Sequence, residues 1–136
     1  EYLARMETGN DWREEIETLA DREAVDAGWF AAMGAVRTAE LWFYDQREKE
    51  YHAVEFDEPL EVAACVGNVS LLDGERFAHT HAVLSRENGQ SLAGHLDSAR
   101  VFAGEVYLRE FAEPLERAHD ERTDLDLWLN DDPDTE

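Results

Sequence analysis

Lysine is almost missing from this chain: Lys49 stands alone, and the other eleven of the twelve basic residues are arginines. Those arginines are scattered and mostly flanked by acids. Duplex DNA binding needs clustered cations against the phosphates, so the charge pattern argues against direct nucleic-acid contact. Cysteine occurs once, which excludes an intrachain disulfide; Cys65 lies in the apolar run Val62–Val66 and reads as a buried structural thiol. No apolar run approaches the ~20 residues of a membrane span, and no secretory leader is visible. The expectation is a cytoplasmic protein without a membrane partner, with some residues missing ahead of Glu1. A glycine-rich phosphate loop and a nucleophile elbow are also lacking, and Ser70, Ser85, Ser91 and Ser98 have no triad context.

Acid is what the chain has in excess. Asp and Glu number 33 against 12 Lys and Arg, for a formal net charge of −21 over 136 residues. In dilute buffer such a domain repels itself, whereas at molar salt the screening length falls to ~3 Å and the repulsion largely vanishes. Dispersed acid with little lysine resembles the proteome habit of salt-adapted haloarchaea, so the charge is read as habitat. The short run Asp131–Glu136 is the exception, and 130–136 is set apart as an acidic C-terminal tail to one domain over 1–129. A hydrophobic share of 43% with four Trp is enough to build a core at this length.

Periodicity assigns an α+β fold: a mainly antiparallel sheet of about seven strands with one principal helix near the N-terminus. Tyr2–Met6 alternates as a strand. Asn10 or Asp11 caps a helix to about Ala24, with Trp12, Ile16, Leu19 and Ala20 on one stripe. Trp29–Val36 and Ala39–Tyr44 read as strand sequence, and Tyr51–Phe56 as a return strand. Leu60–Leu72 reads as a central strand with a bulge or kink at Gly67-Asn68. Phe77–Leu84 and Ser91–Leu96 form a hairpin about Glu87-Asn88-Gly89, Val101–Phe111 follows, and Leu115–Leu129 is ambiguous between short strands and a helix.

Within Phe77–Leu84, residues 77, 79, 81 and 83 share one face. His79 and His81 are therefore about 7 Å apart at Cα with their rings on the same side. Two imidazoles hold a divalent ion loosely. His95 is the natural third ligand, since the Glu87-Asn88-Gly89 turn folds its strand back beside them, with Gly94 leaving room for close approach. Three neutral imidazoles with an open fourth position suit Zn²⁺, with another divalent transition metal an alternative. Glu105 is weighed as a further ligand or an orienting partner, although a salt bridge is the plainer reading. Arg37 is expected to pair with Glu40, and His52 and His119 to lie on the surface. Trp29, Trp42, Phe43 and Tyr44 line a pocket or, preferentially, pack a subunit interface. The cupin metal motif also begins with Gly and His-X-His, but its following glutamate ligand has no counterpart here, Glu87 being too distant.

Several segments together are similar to the PPC domain, the plants and prokaryotes conserved domain. They are Gly28-Trp29-Phe30 to Arg37, Ala39–Asp45, Pro59–Val62, Gly67–Ser70, Phe77–His81, Gly94-His95-Leu96 and Val101–Val106, spread over most of Tyr2–Phe111. The resemblance implies a mainly antiparallel α+β domain that assembles as a homotrimer. It further implies a stand-alone prokaryotic member, called DNA-associated by analogy with plant proteins in which an AT-hook makes the DNA contacts. No Arg-Gly-Arg-Pro hook is present here, so that role does not transfer by itself. Metal-binding members resemble this chain at His79, His81 and His95. Two readings follow: a homotrimeric binding or regulatory module, ranked first, and a metal-dependent small-molecule-binding protein or enzyme using the three histidines.

Overall fold

A computed structural model describes residues 1–129; the expected acidic tail, 130–136, lies outside the described residues. The elements run β1 (Tyr2–Met6), α1 (Trp12–Arg22), β2 (Gly28–Asp45), β3 (Glu50–Phe56), β4 (Leu60–Leu72), β5 (Glu75–Ser85), β6 (Ser91–Glu110), β7 (Glu116–Asp120) and β8 (Leu125–Trp128). The fold is thus the expected α+β type, with a single helix and eight strands among the described residues. All pairings are antiparallel except that of β4 with β7.

Asp11 caps α1: one carboxylate oxygen accepts from the Glu14 backbone N–H at 3.1 Å. The other accepts from the Ala99 N–H at 2.9 Å and ties the helix start to β6. Trp12, Ile16, Leu19 and Ala20 form the buried stripe, as the spacing predicted. Ala24 takes a left-handed φ of 54° and ends the helical segment, slightly before the expected limit.

Four strands close on themselves. β2 pairs with β6 along nearly its whole length, β6 with β5, β5 with β4, and β4 returns to the first half of β2. The second half of β2, from Ala39 on, pairs with β3 on the edge that β4 has left. Inside the ring Phe30, Val69, Leu84, Leu96, Val101 and Leu108 are fully buried. Cys65 is buried too, and burial pushes its thiol up to about 11, which fits an inert structural role.

Three sequence expectations change. The two apolar runs 29–36 and 39–44 form one strand, because β6 pairs across the polar Arg37-Thr38 break. Residues 91–96 and 101–111 are likewise one strand of 20 residues: Asp97, Ser98 and Arg100 interrupt the apolar pattern, but β2 and Asp11 satisfy the backbone there. The irregularity of β4 falls between Val62 and Ala64 rather than at Gly67. Gly67 serves a different purpose, since a Cβ there would run into the His79 carbonyl oxygen and the Phe30 ring.

The ambiguous segment after Pro114 is a hairpin. Asp120 accepts from the Thr123 N–H and hydroxyl at 2.9 and 2.7 Å, and Asp124 turns the chain at a φ of 61°. β7 docks on the end of β4 through the register Leu71↔Glu116 and Leu72↔Arg117. No helix among the described residues is long and apolar enough to cross a membrane.

Candidate metal centre

On β5 the even positions Ala78, Thr80, Ala82 and Leu84 are buried, so the odd ones, including His79 and His81, point to the outer face. Strand β6 brings His95 directly opposite His81. The three rings meet: centroids lie 5.0 Å apart for His79–His81, 5.4 Å for His79–His95 and 5.6 Å for His81–His95. One nitrogen from each falls within 4.8 Å of the others. The turn at 87–89 and the parity of β5 therefore produce the juxtaposition that the spacing predicted. Gly94 is not what permits it: a Cβ there would meet the Trp42 carbonyl at an ordinary 3.4 Å.

The other sequence candidates lie elsewhere. Glu105 is ten positions further along β6, roughly 30 Å at strand rise, and pairs in register with Arg5 and Met33. Arg37 lies over the Phe102 ring at 5.8 Å and makes no ion pair with Glu40 among the described residues. His52 and His119 are exposed beside Glu50 and Asp124, at 3.4 and 3.2 Å. The aromatic group divides. Trp42 stacks on His95 at 5.9 Å and touches Tyr51, which itself lies 5.3 Å from His95. Tyr44 donates its hydroxyl to the Thr123 carbonyl and so ties β2 to the C-terminal hairpin. Phe43 and Trp29 face outward.

Sequence reading missed Arg117. It reaches the centre from β7, with Nη2 3.5 Å from His79 Nδ1. Its Nε donates to Ser70 Oγ at 2.6 Å, Nη2 to Asn68 Oδ1 at 2.7 Å and Nη1 to the Asp126 carbonyl at 3.0 Å. The ring of Phe77 lies under it at 5.6 Å and that of Trp128 at 5.7 Å. Nothing in the sequence near Arg117 announces this, because it depends on where a five-residue strand docks.

Burial, followed by the charge of Arg117, pushes the His79 imidazole down to about 4. His95 is also held at about 4, by burial and then by His81, with Asp97 opposing. Both rings are thus neutral at pH 7 and keep their lone pairs available. An unfolded His takes up its proton near 6.5, so the unfolded state gains protons first as pH falls. These two residues accordingly leave stability intact above pH 6.5 and erode it as pH drops from there toward 4. In metal-free protein, denaturant midpoints at pH 7 and 4.5 should fall further for the wild type than for a His79→Gln/His95→Gln variant; equal falls would refute the assignment.

The profile of the Plants and Prokaryotes Conserved (PCC) domain matches residues 1–112. The chain belongs to the PCC family. The PCC fold is shared with solved relatives. The metal-containing protein AF0104 from Archaeoglobus fulgidus is 42% identical, with 95% of this chain and 92% of that chain covered and a TM-score of 0.90. A plant- and prokaryote-conserved protein from Pyrococcus horikoshii is 30% identical, with coverages of 95% and 90% and a TM-score of 0.89. A Bacteroides thetaiotaomicron protein described as a "putative dna binding protein" is 23% identical over 94% and 90%, with a TM-score of 0.88; at that identity it shows the PCC fold alone. No curated protein sequence matches this PCC chain. The β7–β8 hairpin lies beyond the 112 residues that define the PCC match.

Proposed function

We propose that this PCC protein binds a divalent transition metal, Zn²⁺ by preference, through His79, His81 and His95, and presents it to a small-molecule ligand. The observation that carries the reading is the convergence of three imidazole nitrogens within 4.8 Å from two adjacent strands. The donor set fits: two of the rings are held neutral, and three nitrogens leave a fourth position open, the arrangement of catalytic rather than structural zinc. A metal bound there supplies Lewis acidity and an acidified water. The 42%-identical metal-containing relative supports the same reading. The order of the two readings drawn from sequence is thereby reversed. Elemental analysis of untagged protein purified at high salt tests the proposal: close to one equivalent of metal per chain is expected, and a metal-free protein that also fails to take up Zn²⁺ would overturn it.

The module reading survives as an assembly proposal. Leu3, Met33 and Val66 are exposed at 79%, 58% and 42% around a cavity of about 610 Å³ on the outer side of the ring. Apolar surface of this kind favours a cover made by further copies. A homotrimer is expected in light scattering at molar salt, and Met33→Glu should shift it toward monomer. A monomeric wild type would refute the assembly. Direct DNA contact gains nothing from the site, and the net charge opposes it.

A further inference from the structure

Four arginines are not fully exposed: Arg13, Arg76, Arg86 and Arg117. Three have carboxylate partners. Arg13 lies 3.7 and 3.6 Å from Glu17 and Asp97, Arg76 lies 3.3 and 2.9 Å from Asp21 and Asp26, and Arg86 lies 2.6 Å from Glu58. Arg117 has none within ion-pair distance among the described residues. Every group that positions it is neutral: a serine hydroxyl, an asparagine amide and a backbone carbonyl. In a chain with 33 acids against 12 bases, a half-buried guanidinium with no carboxylate in ion-pair distance among the described residues is a conspicuous exception; the Asp126 carboxylate acts on it only from further off.

A guanidinium carries five N–H protons; three contacts occupy one on each nitrogen, and the second Nη2 proton faces His79 Nδ1 at a long 3.5 Å. One Nη1 proton is free and one Nη2 proton is held only by that long contact, so the pair can turn to an oxyanion as a two-pronged donor. Beside it opens a cavity of about 480 Å³ whose lining includes Asn68, His79, Arg117, Asp120, Leu127 and Trp128. Arg117 and His79 join this cavity to the histidine cluster, Leu127, Trp128 and Leu129 give it apolar wall, and the Asp120 carboxylate in its lining is engaged by Thr123.

We propose that Arg117 is the recognition residue for an oxyanion, a carboxylate or a phosphate on a small molecule with an apolar body, bound in this cavity next to the three histidines. The proposal rests on the metal reading only for its neighbour: a divalent cation beside a guanidinium that has no ion pair among the described residues creates a local positive charge that an anionic ligand neutralises. It also gives the C-terminal hairpin a role, since the hairpin supplies Arg117, Leu127 and Trp128 from outside the part of the chain that defines the family.

The test uses the full chain loaded with Co²⁺, at one fixed salt concentration, titrated with phenylacetate, acetate and inorganic phosphate while the visible spectrum is followed. Wild type is expected to respond saturably. Tighter binding of phenylacetate than of acetate and phosphate identifies a carboxylate with an apolar body; tighter binding of phosphate identifies a phosphate ligand. Arg117→Gln should keep its full equivalent of Co²⁺ and bind the preferred anion roughly 10- to 100-fold more weakly. Arg117→Lys keeps the charge without the fork, should fall between the two, and replaces the glutamine variant if that one does not fold. Unchanged anion affinity in the Arg117 variants, or no response in cobalt-loaded wild type, overturns the proposal. If wild type takes up no metal, the metal reading fails by itself, and calorimetric titration of the metal-free protein decides the remainder. Anion binding that Arg117→Gln abolishes sustains the role of Arg117, and its absence from wild type ends it.

Discussion

His95→Ala should empty the metal centre. His79 and His81 alternate on one strand and offer only two nitrogens, whereas His95 comes from β6 and completes the set. Groups that merely orient a metal ligand cost 10- to 100-fold in affinity when removed, so losing one of three ligands should cost at least about 100-fold. At a buffered free Zn²⁺ about ten times the wild-type Kd, which nearly fills wild type, the variant should retain under about a tenth of an equivalent. His52→Ala and His119→Ala, altering the two exposed histidines, should stay fully loaded. Because His95 is only part-buried, the variant should still fold, and near-UV circular dichroism of the metal-free forms checks this. A His95→Ala protein that holds one equivalent as tightly as wild type would place the ion elsewhere.

Gly67→Ala should be the most damaging single-methyl change in the chain that also reaches the site. Gly67 faces Thr80 across the β4–β5 ladder, between the positions opposite His79 and His81. An added Cβ would collide with the His79 backbone oxygen and with Phe30, a fully buried core ring. Neither obstacle is the movable end of a flexible side chain: one is ladder backbone, and the other is packed inside the closed ring of strands. Relief requires β5 to move, and His79 and His81 move with it. The expected cost is at least about 3 kcal/mol, read as a fall in melting temperature of roughly 10 °C or more, with weakened metal uptake in whatever folds. Gly94→Ala provides the contrast. It sits beside His95, but its Cβ would find ordinary contacts at 3.4 and 3.9 Å, so it should melt within a few degrees of wild type. Equal melting of the two variants would show that the close approach at residue 67 can relax without cost.

The contrast between these two glycines shows where sequence reading works and where it stops. Both lie in strand-like sequence, and both had been given local roles, a bulge at one and room for a neighbour at the other. Neither role held, because crowding at a glycine depends on what crosses it from another strand. His79 and His81 were legible for the opposite reason. The two-residue repeat of a strand is a local property, and a Glu-Asn-Gly turn six residues later places the returning histidine. Local geometry of this kind also gave the helix stripe Trp12, Ile16, Leu19 and Ala20. Arg37 and Glu40 illustrate the limit: three apart in sequence near a strand irregularity, they were expected to pair, yet Arg37 turns to Phe102 on β6. Strand number and length were blurred where polar residues interrupted runs that β6 and β2 bridge through each other.

By itself the chain determined its acid-dominated surface, the absence of an intrachain disulfide, the class of fold and the shared face of two histidines, since each follows from composition or from the repeat of one backbone segment. Tertiary structure alone decided that β2 and β6 are each continuous, that Gly67 has no space for a side chain and that Arg117 meets His79. Those facts depend on which distant segments lie side by side, and a guanidinium 38 residues away becomes a neighbour of an imidazole only when β7 docks on β4.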